Sequence, residues 1–332
     1  MGKKQKIIDL SLNSPIEDIF FLKEKEFKVR RDQKTIDLFF KLADCSGEME
    51  AIIWDVPRDK LEEFRKIKFA QVKGYVTKQK EDGSLQATIS SLIKATPLDY
   101  SDYMPRSKED PNKMMQVLRE KIASVKNRYL KMLLESFFED ADFVDKFKKA
   151  PAATKVHQPY LSGLLEHTLK VVTICEAITG IYPEIEKDFL ITSAIIHDIG
   201  KIKEYSYEQV IDHTDEGKLL GHITLGLEII SEKIKSLPEF PPDLELMLKH
   251  TILSHHGHLE FGSPKLPSIL AAIALHYADE MEAKISGFLN IKEENKDLQE
   301  KWSKWIWWLE RPVYLEEEII FRNSLNKEEE EG

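Results

Sequence analysis

The chain has 332 residues, enough for two ordinary domains, and is 42% hydrophobic and 32% charged. That balance excludes a disordered or collagen-like chain. Two cysteines, Cys45 and Cys175, exclude a disulfide framework and a cysteine-ligated metal, and a net charge of −10 argues against a surface built mainly for nucleic acid.

No apolar run follows the basic start MGKKQKIIDL as in a signal peptide, and position 6 is Lys6, not the Ser or Thr of a myristoylation motif. Nothing approaches the ~20 apolar residues of a membrane span, so a cytoplasmic protein with no membrane contact is expected. Residues 1–100 hold 19 Lys and Arg against 17 Asp and Glu, a net +2, which leaves −12 for the rest. All ten histidines lie between His157 and His276.

The elements, in chain order, predict a multidomain α+β chain. Residues 16–98 read as a five-stranded OB-fold β-barrel. In TIDLFFKLA (35–43), Ile36, Leu38, Phe40 and Leu42 share one face at period two, and the turn DCSGE leads into MEAIIWD. The short helix PRDKLEEFRK precedes FAQVKGYVTKQ, a KEDGS turn and LQATISSLIKA. A helix between the third and fourth strands favours an OB barrel over an SH3-like one. On the outer face, Phe39, Lys73 and Tyr75 point away from the apolar set and are candidates for single-strand binding. Interdomain packing is the plainer role for each.

Residues 99–111 (DYSDYMPRSKEDP) read as a linker, 112–311 as an all-α helical bundle, and 312–332 as an acidic tail. Segment 112–149 suggests two amphipathic helices, with Met114, Val117, Leu118 and Ile122 on the first and Leu130, Leu133, Leu134 and Phe137 on the second. Further helices are expected at about 161–179, 187–199, 222–236, 243–256 and 267–288. The tryptophans at 302, 305, 307 and 308 suggest packing or an oligomer contact before base stacking.

Five of these helices each place one or two histidines or aspartates at the edge of an apolar stripe: His167, His197 with Asp198, His222, His255 with His256, and Asp279. An ionised aspartate on a buried helix is costly unless it is paired or coordinates a metal. Facing helices of a bundle are a common way to build a metal site. Imidazole and carboxylate donors suit Mn, Fe, Co, Ni or Zn, with Mg also open. Gly200 can end its helix and bring Lys201 to the same spot. A single histidine more often has a core or surface role. His213 and His258 fit surface roles, and His250 and His276 divide evenly between orienting a ligand and ordinary core.

The ordered set resembles the HD-domain superfamily of metal-dependent phosphohydrolases. The mononuclear form would use His167, His197, Asp198 and Asp279. The form with two divalent ions would let Asp198 bridge and add His222, His255 and His256.

The stretches PAATKVHQPYLSGLLEH (151–167), EGKLLGHI (216–223), LSHHGHLEFGSPKLP (253–267) and LHYADEMEAK (275–284) resemble the YhaM-type 3′→5′ exoribonucleases, an OB domain joined to an HD domain. The resemblance covers roughly residues 16–310 and is looser in the barrel. KWSKWIWWLERPVYLEEE departs from that family's more basic ending.

The resemblance implies trimming of single-stranded RNA, with single-stranded DNA also open, by a metal-activated hydroxide at a binuclear His/Asp site. It also places His157 and Lys201 beside Asp198 in catalysis. Two other readings compete: a phosphohydrolase of nucleotides or cyclic dinucleotides, and a non-catalytic single-strand-binding protein with a structural metal. An OB domain is superfluous for the first, and the GYP extension of the cyclic-dinucleotide class is absent after His256. The oligomeric state is left open, a homo-oligomer included.

Overall fold

A computed structural model describes residues 3–79, 84–154, 158–208, 210–295 and 300–316. The chain divides into two compact units, Met1–Ala283 and Lys284–Gly332.

The first unit opens with a closed five-stranded barrel: β1 (Pro15–Val29), β2 (Thr35–Asp44), β3 (Gly47–Pro57), β4 (Phe69–Gln79) and β5 (Leu85–Lys94). The strand order is β1-β2-β3-β5-β4, closed by β1 against β4, with β3 and β5 parallel and the other pairs antiparallel. Helix α1 (Leu61–Lys66) sits between β3 and β4, as in an OB-fold.

Alternation fills the barrel. Ile36, Leu38, Phe40 and Leu42 are buried, while Phe39 between them faces outward and is half-buried. β1 is long enough to serve two neighbours: residues 15–21 pair with β4 and 21–29 with β2. A bulge in β3 sets three steps, from Ile53 to Val56, against the two steps from Ile36 to Leu38, and Asp55 adopts a left-handed φ of 57° there.

Residues 95–110 touch the barrel and the helices that follow. The rings of Tyr100 and Tyr103 lie 5.1 and 5.3 Å from Phe69. The Ser107 hydroxyl donates to Glu166 Oε2 at 2.6 Å.

The helical part comprises α2 (Pro111–Ser124), α3 (Arg128–Phe138), α4 (Ala141–Lys149), α5 (Gly163–Ile181), α6 (Lys187–Ile196), α7 (Lys201–Glu204), the short ribbon β6 (Tyr205–Ser206) and β7 (Asp212–His213), α8 (Asp215–Ser236), α9 (Pro242–Ser254) and α10 (Leu270–Glu294). Segment 112–149 thus forms three helices, not the two expected. The Asp140 carboxylate accepts from the Asp142 and Phe143 N–H groups and starts a new helix after Phe138. On α2 the inward face carries Met115, while Val117 is 42% exposed.

One apolar core runs through α2–α6 and α8–α10, with Leu118, Leu134, Phe137, Phe147, Leu190 and Ile252 at its centre. Helix α8 begins seven residues before the expected His222, but Gly221 breaks it at φ 71° and ψ 159°, so a fresh helical run starts at His222. No helix among the described residues is long and apolar enough to cross a membrane.

In the second unit, residues 300–316 form an irregular hairpin, with bridges Trp302–Tyr314 and Ile306–Arg311. Trp308 packs on Gly287, whereas Trp302, Trp305 and Trp307 are exposed. A packing role therefore suits Trp308 only.

Candidate metal centre

The bundle core gathers side chains from α5, the ends of α6 and α9, the break in α8, and α10. α6 is buried from Phe189 to Ile196, and its start is capped by Glu186, whose carboxylate accepts from the Asp188 and Phe189 N–H groups. The helix ends at Ile196, so His197 and Asp198 emerge where backbone carbonyls lack helical partners. His197 uses one of them: its Nδ1 lies 2.8 Å from the Ala194 carbonyl. His255 repeats the device at the end of α9, with Nδ1 2.7 Å from the Ile252 carbonyl. The other two anchors are carboxylates. His167 Nδ1 lies 2.5 Å from Glu282 Oε2, and His222 Nδ1 lies 3.2 Å from Glu204 Oε1.

Each anchor is an acceptor, so Nδ1 is the protonated nitrogen whenever one of these rings is neutral, and Nε2 then presents a lone pair. These lone pairs face each other: His167 Nε2 is 3.3 Å from His197 Nε2, and His222 Nε2 is 3.2 Å from His256 Nε2. Two trios result. His167, His197 and Asp279 form one, and His222, His255 and His256 the other; the ligand atoms of each lie within 4.8 Å of one another.

Asp198 stands between the trios. Its Oδ2 is 3.5 Å from His167 Nε2 and 3.3 Å from His197 Nε2, while its Oδ1 is 3.6 Å from both His222 Nε2 and His255 Nε2. Lys201 Nζ, buried at the start of α7, reaches Asp198 Oδ2 at 2.5 Å.

The donor set fits divalent cations. Bonds of about 2.1 Å at 90–110° set donor atoms about 3.0–3.4 Å apart. His167 Nε2 to Asp279 Oδ1 is 3.1 Å, close to that spacing. Asp198 Oδ1 and His255 Nε2 are buried with no hydrogen-bond partner, a costly state that a cation would relieve.

Electrostatics agree with the geometry. Burial pushes the Asp198 carboxyl up, but the Lys201 ammonium and the His197 and His255 rings outweigh it and hold it well below the usual carboxylate range. Burial pulls His167 down, yet its hydrogen bonds to Asp279 and Glu282 push it up to about 9. Burial leaves His255 below its ordinary value, as suits a neutral ligand.

The structure therefore gathers His167, His197, Asp198, Lys201, His222, His255, His256 and Asp279. His157 lies outside the described residues. Phe39, Lys73 and Tyr75 are on the barrel but do not form one patch. Phe39 pairs with β1 at Glu26 and Tyr75 pairs with it at Pro15, eleven residues away. Lys73 is ion-paired to Glu17 at 2.6 Å.

Sequence reasoning missed Glu282 and Glu204. Glu282 lies one turn past Asp279 on the same buried face, and that spacing could have found it. Nothing in the local sequence marks Glu204. His276 Nδ1 meets the His255 carbonyl at 3.0 Å, and His250 Nε2 accepts from the Ser268 N–H at 2.9 Å ahead of α10.

A family model described as "HD domain" matches residues 164–284, the stretch that holds both trios. The chain is similar to the 3′-5′ exoribonuclease YhaM of Oceanobacillus iheyensis, 34% identical over 248 residues, which is 74% of this chain and 77% of that protein. It is also similar to the 3′-5′ exoribonuclease YhaM of Bacillus subtilis, 33% identical over 254 residues, 75% of this chain and 79% of the relative. At that identity and coverage, the chain belongs to the YhaM family of HD-domain proteins.

Proposed function

We propose that this chain is a cytoplasmic, metal-dependent 3′-5′ exoribonuclease that trims single-stranded RNA, with single-stranded DNA also open as a substrate, at a binuclear centre loaded with Mn. One observation supports this above the rest: the two oxygens of Asp198 face different histidine trios. Two divalent ions in such a centre supply a hydroxide at neutral pH and neutralise charge on the phosphoryl oxygens.

The protein's own groups do the rest. His167, His197 and Asp279 would hold one ion and His222, His255 and His256 the other, with Asp198 between them. Lys201 keeps Asp198 ionised and offers an N–H to a non-bridging oxygen or to the departing 3′ oxygen. His157 is expected at the same phosphate. The oxygen of water bonds to phosphorus, the bond to the penultimate 3′ oxygen breaks, and that oxygen takes up a proton. The barrel holds the upstream strand on the face that carries Phe39, which is the first candidate contact.

The test is to incubate the Mn-loaded protein with single-stranded RNA labelled at either end. Mononucleotides from the 3′ label and a shortening ladder from the 5′ label are expected. Cleavage of free nucleotides or cyclic dinucleotides alone would replace this reading with a small-substrate phosphohydrolase. Tight strand binding with no turnover would leave only a binding protein.

A further inference from the structure

We infer that the strand-holding surface of the barrel is an aromatic platform formed by Phe39 on β2 and Trp54 on β3, continued by a basic rim at the β1–β2 turn, and that it takes single-stranded RNA. The inference rests on the proposed nuclease activity for its substrate class.

Phe39 and Trp54 meet edge to face at 5.8 Å. Trp54 is 45% exposed, on a barrel whose other large apolar side chains are mostly internal. The bulge that inserts Asp55 sets this pair. It places Trp54 and Asp55 across from Asp37, where Arg30 bonds Asp37 at 2.8 Å and also Asp55. The clamped Arg30 guanidinium lies 5.8 Å from the Trp54 ring, and Lys28 Nζ lies 4.5 Å from the Phe39 centroid. The two rings thus sit side by side on the outer face with cations against them, and Trp54 is open to solvent, an arrangement on which bases stack.

Acids match the cations inside the platform, so phosphate affinity must come from beyond it. Four to five residues along the strands, about 13–17 Å away, Arg31, Lys34 and Arg58 are exposed and, among the described residues, form no ion pair. Asp32, in the same turn, is occupied by the Lys34 and Thr35 N–H groups and the Thr35 hydroxyl. Arg58 is held beside this turn by its N–H bond to the Lys34 carbonyl at 3.0 Å. On the other side of the barrel Lys73 is already paired with Glu17, and Tyr75 has no aromatic neighbour within ring-contact distance among the described residues. Paired exposed rings and unpaired cations therefore coincide at the Phe39–Trp54 end.

Two measurements on the full chain test this. First, binding of a labelled 30-mer single-stranded RNA is followed by fluorescence anisotropy in EDTA. Trp54→Ala is expected to weaken binding about fivefold to a hundredfold, the range for one stacked base. Arg31→Gln with Lys34→Gln is expected to lower the slope of log Kd against log salt by about 0.7 for each phosphate no longer neutralised, a change that Trp54→Ala should not produce. Second, the same variants should raise KM on the 30-mer and leave kcat on a dinucleotide unchanged. Unaltered binding in Trp54→Ala together with weakened binding in Tyr75→Ala would overturn the inference. The anisotropy arm needs no cleavage, so failure of the nuclease reading and failure of the platform give different results.

Discussion

Gly200→Ala is the sharpest test of how the two trios are held in register. α7 and α8 cross so closely at this residue that a Cβ would lie 1.9 Å from the His222 carbonyl oxygen and 2.6 Å from the Gly226 nitrogen. Both obstacles are backbone, so no rotamer can swing away. Ordinary contact needs about 3.4 Å or more, so one helix must shift by roughly 1.5 Å. Overpacking of this kind costs typically about 1–3 kcal/mol. The displaced segment carries His222 and pivots at Gly221, so the second trio should open while His167, His197 and Asp279 stay in place. A misplacement of about 1 Å costs on the order of a hundredfold in rate.

The assay is kcat on a chromogenic phosphodiester together with metal content by elemental analysis. We expect a loss of about a hundredfold and retention of one ion where the parent holds two. Gly180→Ala is the control, because a Cβ there meets nothing within 4 Å. A Gly200→Ala protein with full metal content and parental kcat would refute the reasoning.

Three further outcomes are expected. Asp198→Asn should abolish turnover while far-UV circular dichroism is unchanged, since the amide keeps the shape but not the charge that both trios face. Lys201→Met should lower Tm in EDTA, because removing one partner of a buried ion pair costs about 3–5 kcal/mol; loading with Mn should restore most of the loss, and equal losses in both states would contradict this. Phe137→Ala, at the fully buried centre of the helical core, should destabilise urea unfolding by about 3–5 kcal/mol with little change in KM.

Much of this architecture was legible in the sequence because burial and charge conflict at the site. A helix apolar almost all round that closes on His197 and Asp198 admits few explanations. The barrel was legible from strict alternation such as Ile36, Leu38, Phe40 and Leu42.

The carboxylates behind the histidines were missed for two reasons. A glutamate on a helix ordinarily faces solvent, so Glu282 was passed over although its spacing from Asp279 marks the buried face, and only the fold shows that Glu204 reaches His222. The division of segment 112–149 was hidden because the Asp140 cap looks like one more acid on an amphipathic face. Lys73 read as a free cation because its partner, Glu17, lies on another strand. Trp54 was overlooked at the end of an apolar run, where a bulge decides what becomes of it.

The carbonyl anchors of His197 and His255 bear on how the centre acquires its ions. Each ring is fixed by the last turn of its own helix, so the cage takes shape as the helices form. Little ordering is left for the ion to drive, unlike a zinc finger, whose folding is bought by its metal. The protein should then survive repeated stripping and refilling. Imidazole with carboxylate accepts most of the first transition row, so donor chemistry alone selects weakly among these ions. Which metal works in the cell is accordingly decided by supply, and activity should follow the free concentrations of competing cations.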